Sequence, residues 1–201
     1  MGRLLGILLL LAGVAIGIGI VRYADESHTL LPFDFEETPV VDPYEEWRQY
    51  VSAIGHFRAD FPTTPQTVSE DLPVPNSNLI VKSHIYVSED IDGTTYMINV
   101  IVYPSDIQAG QTDRTLEKIM NDMVAANPTN RVRSVDFTEF QGYRTLDFFI
   151  ENPQVYVNCR VFLVGKRLYL LVVIDKVEQY RDQDFQHFLE KFKVLSDSPD
   201  S

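Results

Sequence analysis

Four histidines (His28, His56, His84 and His187), one cysteine (Cys159) and the acidic run Glu89-Asp90-Ile91-Asp92-Gly93 are the residues of this chain whose types could do chemistry. Zinc asks for three or four nitrogen or sulfur ligands, often with two histidines one helical turn apart. No such histidine pair and no HExxH occurs here. His56 and His84 fall in strand-like segments and could meet across neighbouring strands, but two histidines without a third local ligand make a weak zinc site. All four read as structural or surface histidines. A nucleophilic thiol needs a base beside it and access to solvent. Cys159 lies inside the apolar run Val155–Val164 and reads as a small core residue. The carboxylates of Glu89, Asp90 and Asp92 could offer oxygens to calcium, yet a calcium loop spreads its ligands over about twelve residues and closes on a Glu. That pattern fails, and Asp92-Gly93 reads as a hairpin tip instead. Glu70 and Asp71 read as loop charges. G-x-S-x-G, phosphate-loop and dinucleotide-binding glycine patterns are absent. No catalytic, cofactor-binding or metal-ligating residue is assigned, and no enzyme is expected.

The elements that would position these residues are readable in outline. Asp42, Pro43 and Glu45 form a helix-start phrase, and Tyr44, Trp47, Val51 and Ile54 share a helical face that Gly55 ends. A strand over 56–61 follows, with Phe57, Ala59 and Phe61 on one face and His56, Arg58 and Asp60 on the other. Asn78 to Ser88 and Thr95 to Tyr103 read as a hairpin. Thr112 to Asn127 places Leu116, Ile119, Met120, Met123 and Val124 on one helical face, with Thr112 or Asp113 as its cap. Arg131 to Phe140 pairs with Tyr143 to Glu151 around Gln141-Gly142, and Val155 to Val164 pairs with Arg167 to Ile174. A last helix over 182–193 aligns Phe185, Phe188, Leu189 and Phe192. Tyr86, Tyr96, Tyr103, Tyr143, Tyr156 and Tyr169 are strand aromatics, read as sheet packing under a helix rather than as an exposed platform. Val155, Val157, Cys159, Val161 and Leu163 face one side of their strand and Tyr156, Phe162 and Val164 the other. A sheet apolar on both faces must be covered twice. The expected fold is α+β: an α/β/α sandwich around a largely antiparallel sheet, over residues 42–196.

The phrase Ile54-Gly55-His56-Phe57-Arg58-Ala59-Asp60-Phe61-Pro62 with Pro65, the middle Phe140-Gln141-Gly142-Tyr143, and a closing strand Arg167–Val173 coupled to the Phe-rich helix Phe185–Phe192 together resemble the PsbP-like superfamily, in particular its bacterial membrane-anchored envelope branch. The resemblance spans about residues 54 to 194. It implies the sandwich fold and roles in binding and assembly rather than catalysis. Its motifs are a turn, a strand and a packed helix, so no functional residue follows from it.

Residues 4–21 are uncharged and apolar, and as a helix they extend about 27 Å, nearly the thickness of a bilayer's hydrocarbon. Arg3 and the terminal amine lie before the run, while Arg22, Asp25 and Glu26 follow it, which places the N-terminus in the cytoplasm and the rest outside. Cleavage after Gly13-Val14-Ala15 would leave an apolar remnant, so segment 1–22 is expected to stay as a signal anchor. Residues 23–41 form an acidic, Pro-containing tether without Lys or Arg, and residues 197–201 a disordered tail. With 29 acids against 17 bases and a net charge of −12, nucleic acid is excluded as a partner. The expected partners are the bilayer, through residues 4–21, and another envelope or membrane protein. The function expected is a non-catalytic, extracytoplasmic interaction or assembly module. The alternatives are a small-ligand or metal-binding domain and, less favoured, a hydrolase.

Overall fold

The computed structural model describes residues 42–73, 80–105 and 111–195. The expected anchor over 1–22, the tether over 23–41, the tail over 197–201, His28, and the start of the strand expected at Asn78 lie outside the described residues.

The described residues build two antiparallel sheets and two α-helices. Strands β1 (Arg48–Ser52) and β2 (Phe57–Phe61) open the fold, followed by β3 (Gln66–Pro73), β4 (Ile80–Glu89) and β5 (Thr95–Val102). Helix α1 (Thr112–Ala125) leads to β6 (Arg131–Phe140), β7 (Tyr143–Glu151), β8 (Val155–Val164) and β9 (Arg167–Lys176). Helix α2 (Asp182–Lys191) and the short β10 (Lys193–Val194) close it. The large sheet has seven strands in the order β3-β4-β5-β9-β8-β7-β6, and the small one has three in the order β1-β2-β10. This is an α+β fold of mostly antiparallel sheet with two helices.

The large sheet is apolar on both faces, as the alternation in β8 requires. Tyr169, Leu171 and Val173 of β9 pack with Phe162 of β8 in one core, and Leu168, Leu170, Val172 and Ile174 with Cys159 and Val161 in the other. Helix α1 covers the second face through Leu116 and Met123, with Ile119, Met120 and Val124 half-buried beside them. The first face is closed by Phe185, Phe188, Leu189 and Phe192, and by Trp47, Phe57, Ala59 and Phe61 from the small sheet and the turn before it. One outer layer is therefore a helix plus a three-stranded sheet, not helices alone.

That difference traces to residues 44–54, expected as a helix. The Asp42 carboxylate accepts the Tyr44 amide at 3.0 Å, and Glu45 and Trp47 donate to the Asp42 and Tyr44 carbonyls, making one turn and no more. The chain then opens into β1, paired with β2 from Arg48↔Phe61 to Ser52↔Phe57. A lone helix of so few turns is marginal in water, and long-range pairing outweighs its propensity. Period two replaces period 3.6: Ser52 is buried and Tyr50 packs on the core, while Val51 and Ile54 stand exposed. Glu70 and Asp71 are likewise not in a loop. They lie in β3, an edge strand in which Leu72 is the buried residue and most others are exposed, so the sequence lacks the alternation that marks a strand.

Helix ends also differ in detail. At the start of α1 neither Thr112 nor Asp113 caps; Gln111 holds the cap position without a side-chain bond. Asp113 instead takes a two-point ion pair from Arg144 on β7. Helix α2 stops at Lys191 because Phe192 is extended (φ −80°, ψ 136°) and carries the chain into β10, where Lys193 pairs with Arg58. Asp182 and Asp184 in its first turn and Lys191 in its last suit the helix dipole.

Two predictions test this packing. The Phe188 ring is fully buried against Trp47, Phe61 and Tyr96. Phe188→Ala is expected to cost about 3–5 kcal/mol in denaturant unfolding; a loss near zero would show that α2 does not cover the sheet. Gly93 sits at φ +89° in the β4–β5 turn, donating to the Asp90 carbonyl at 3.0 Å. Gly93→Val is expected to cost about 1–2 kcal/mol, since a β-branched residue resists that backbone; an unchanged melting temperature would contradict the turn.

Candidate binding groove at the end of the central sheet

Where β6 turns into β7 and β8 into β9, the large sheet ends beside the last turn of α2 and the small sheet. A groove of about 640 Å³ opens there, lined by Arg58, Gln141, Tyr143, Val164, Arg167 and Tyr169 and by residues 190–195. Its floor is aromatic: Phe192 stacks on Phe57 at 5.6 Å and Tyr169 on Phe162 at 5.3 Å. The Tyr169 hydroxyl donates to the Gly55 carbonyl at 2.9 Å, tying the floor to the small sheet. Four cations, Arg58, Arg167, Lys191 and Lys193, share the lining with one carboxylate, Glu190.

One wall is held by a side chain acting as backbone. Gln141, at φ +53° in the β6–β7 turn, donates from Nε2 to the Phe192 carbonyl at 2.8 Å. Its Oε1 accepts the Val194 amide at 3.1 Å. The amide group thus bridges β10 as a neighbouring strand would, and closes that edge to strand addition. On the other side the Leu195 amide donates to the His56 carbonyl at 2.8 Å.

The opposite end of β9 is acidic. Asp184 of α2 is fully buried and takes the Tyr44 hydroxyl at 2.7 Å and Arg181 Nε at 2.9 Å. Arg181 also reaches Asp92 at 3.1 Å. Asp175, fully buried at the end of β9, accepts the Thr94 hydroxyl on one oxygen at 2.9 Å, while its other oxygen meets no partner among the described residues. Burial, and then the nearby Asp184 and Asp92 charges, push the Asp175 carboxyl up to about 6 against the opposing bond from Thr94. Burial and Asp184 likewise push the Tyr44 and Tyr96 hydroxyls up, so both stay protonated.

The residues singled out from the sequence are scattered rather than gathered. His56 lies in the turn before β2, in the small sheet's part of the fold, and His84 lies on β4 of the large sheet, bonded to Ser69 at 2.8 Å. The two do not meet across neighbouring strands. Burial, then Lys82, lowers the His84 pKa. His187 stacks on the Tyr44 ring at 3.7 Å, and burial, then Lys191, lowers its pKa. Cys159 is buried, and burial pushes its thiol well up, so it stays protonated and inert. Asp90 and Asp92 bond their own turn, taking the Ile91 and Thr94 amides. Among the described residues no three His, Cys, Asp or Glu side chains could hold a metal ion. Tyr86, Tyr96 and Tyr169 are buried in the core, and Tyr143 packs against it. No sequence motif marks the groove cations. Arg58, Arg167, Lys191 and Lys193 are far apart in sequence, and the one local sign was the Lys191-Phe192-Lys193 pair flanking a core phenylalanine.

Two variants test these assignments. Gln141→Ala removes both bridges to β10 and is expected to cost roughly 1–3 kcal/mol, with faster amide exchange at Val194; unchanged exchange there would contradict the bridging role. For Asp175 the folded-state pKa is raised, so its contribution to stability is full at acid pH and is lost as pH rises through about 6. Asp175→Asn is therefore expected to match the wild type near pH 4 and exceed it by roughly 1–3 kcal/mol near pH 8. A variant equally destabilised at both pH values would contradict the buried-acid account.

Neither a family model nor a curated relative matches this chain. Among solved structures it is similar to the solution structure of cyanobacterial PsbP (CyanoP) from Synechocystis sp. PCC 6803, at 12% identity and a TM-score of 0.45, over 79% of this chain and 96% of that one.

Proposed function

We propose that the chain is a non-catalytic interaction module: a PsbP-like domain of the membrane-anchored envelope branch, held to a bilayer by residues 4–21, with its globule outside the cytoplasm. The observation that carries this reading is the groove, in which four cations and an aromatic floor meet on a chain whose net charge is −12. A concentration of the minority charge at one end of a molecule is a means of recognition, because it steers a complementary surface to that end. The framework residues of the resemblance support the fold half of the reading: Phe57, Phe61, Phe188 and Phe192 form its core, and Gln141-Gly142 its turn. The membrane half rests on residues 4–21; among the described residues no helix is long and apolar enough to cross a bilayer.

A second reading, a carrier or sensor of a small anion, is favoured by the groove's size. About 640 Å³ falls within the roughly 300–1,000 Å³ of small-molecule sites. The two readings part in the company the protein keeps. Crosslinking in native membranes followed by gentle detergent extraction is expected to recover this chain with a second protein; recovery of the chain alone would contradict the module. Fusion of alkaline phosphatase after Ser201 is expected to give an active reporter and fusion of a green fluorescent protein a dark one. The reverse pattern would place the globule in the cytoplasm.

A further inference from the structure

We infer that the groove docks an acidic polypeptide segment of a partner protein, one in which carboxylates alternate with large apolar side chains. The inference rests on the reading of the chain as an interaction module and names the chemistry of its partner. The first support is an arrangement that costs the free protein stability. Lys193 of β10 lies directly opposite Arg58 of β2 in the small sheet. Like charges opposite one another on paired strands repel, and a chain with 29 carboxylates had ample means to neutralise them. Among the described residues Arg58, Lys191 and Lys193 nonetheless make no ion pair, and all three are exposed. Local rules broken in this way mark places where function sets the choice.

The second support is the shape of the chemistry. The cations stand on separate elements around an apolar floor in which Phe192 and Tyr169 are buried and Val164 and Tyr143 half-buried. Sites for a single phosphate gather backbone amides and bidentate arginines on one point. Here the Val194 amide at the wall is already taken by Gln141, and the two lysines are separate point charges on flexible stems. Distributed cations above an apolar floor match a segment that alternates acids with Leu or Phe. Recognition through side chains also follows from the closed β10 edge, which leaves no free ladder for strand pairing. The acidic remainder of the chain repels anionic headgroups and so disfavours the bilayer as the occupant.

The test uses the full chain in detergent and a short labelled peptide alternating Glu with Leu and Phe, beside a twin carrying Gln for Glu. Fluorescence anisotropy is expected to report binding of the acidic peptide and none of the twin, weakening about tenfold between about 50 and 300 mM salt. The double variant Lys191→Glu/Lys193→Glu is expected to lower affinity at least about tenfold, the milder Lys191→Gln/Lys193→Gln to fall between, and Lys82→Glu/Lys118→Glu to leave it unchanged. Circular dichroism melts establish that each variant is folded. Equal binding of the twin, or affinity indifferent to the groove charges, overturns the inference. Inorganic phosphate that binds the groove and displaces the peptide overturns it in favour of a small oxyanion, and groove-dependent binding to phosphatidylglycerol vesicles in favour of headgroups. If a partner copurifies from membranes and its capture survives the Lys191→Glu/Lys193→Glu change, the module reading stands and this docking site falls.

Discussion

Strand β9 buries eight consecutive residues, Leu168 to Asp175, alternating between two cores. A strand of that kind cannot face water on either side; β5 buries Thr95 to Ile101 in the same way, and β8 beside it has no exposed residue. Both faces of the sheet must therefore be roofed. Helix α1 roofs one, and α2 with the small sheet roofs the other. The position of every group discussed above follows from this demand. The small sheet exists because α2 alone leaves part of its face uncovered, and the groove exists because that sheet, α2 and the strand turns meet at one end without filling the corner.

The same geometry gives the molecule two unlike ends. Strand β9 runs about 30 Å at ~3.3 Å per residue, and α2 crosses beside it on one face. Asp92, Asp175 and Asp184 collect where β9 ends and α2 begins; Arg58, Arg167, Lys191 and Lys193 collect where β9 begins and α2 ends. The helix dipole favours this sense, with acids at its N-terminal turn and cations at its C-terminal one. At the acidic end Asp175 and Asp184 are buried and Asp92 half-buried, and the three are held by Arg181, Tyr44 and Thr94. At the basic end three of the cations are exposed. One end is bound up in the fold, and the other is open to solvent.

Much of the fold was legible from periodicity. The hairpins β6–β7 and β8–β9 begin and end close to where the alternation and the Gln141-Gly142 and Gly165-Lys166 turns put them, and α1 carries the face of Leu116, Met120 and Met123 that its spacing implies. Two segments were not legible, for different reasons. Residues 44–54 hold apolar groups at both helical and strand spacings, and pairing with a strand distant in space decided between them. Strand β3 lies at an edge with one face in water, so its burial leaves almost no pattern. The groove was less legible still. Its cations belong to residues as far apart as 58 and 193, brought together by topology alone, and Gln141 was visible only as a turn residue although its amide holds β10. The histidines are the rare and reactive side chains of the sequence, yet His84 is bonded to Ser69 and His187 stacks on Tyr44, and neither builds a site.

The account therefore turns on whether the exposed cations of the groove meet carboxylates of another protein. Zero-length carbodiimide crosslinking in native membranes reads this directly, because it joins a lysine to a carboxylate in contact with it. Peptide mapping by mass spectrometry is predicted to find isopeptide bonds from Lys191 or Lys193 to Asp or Glu of a second protein. Bonds confined to Lys82, Lys118 or Lys176, with the groove lysines unmodified by any partner, would contradict it.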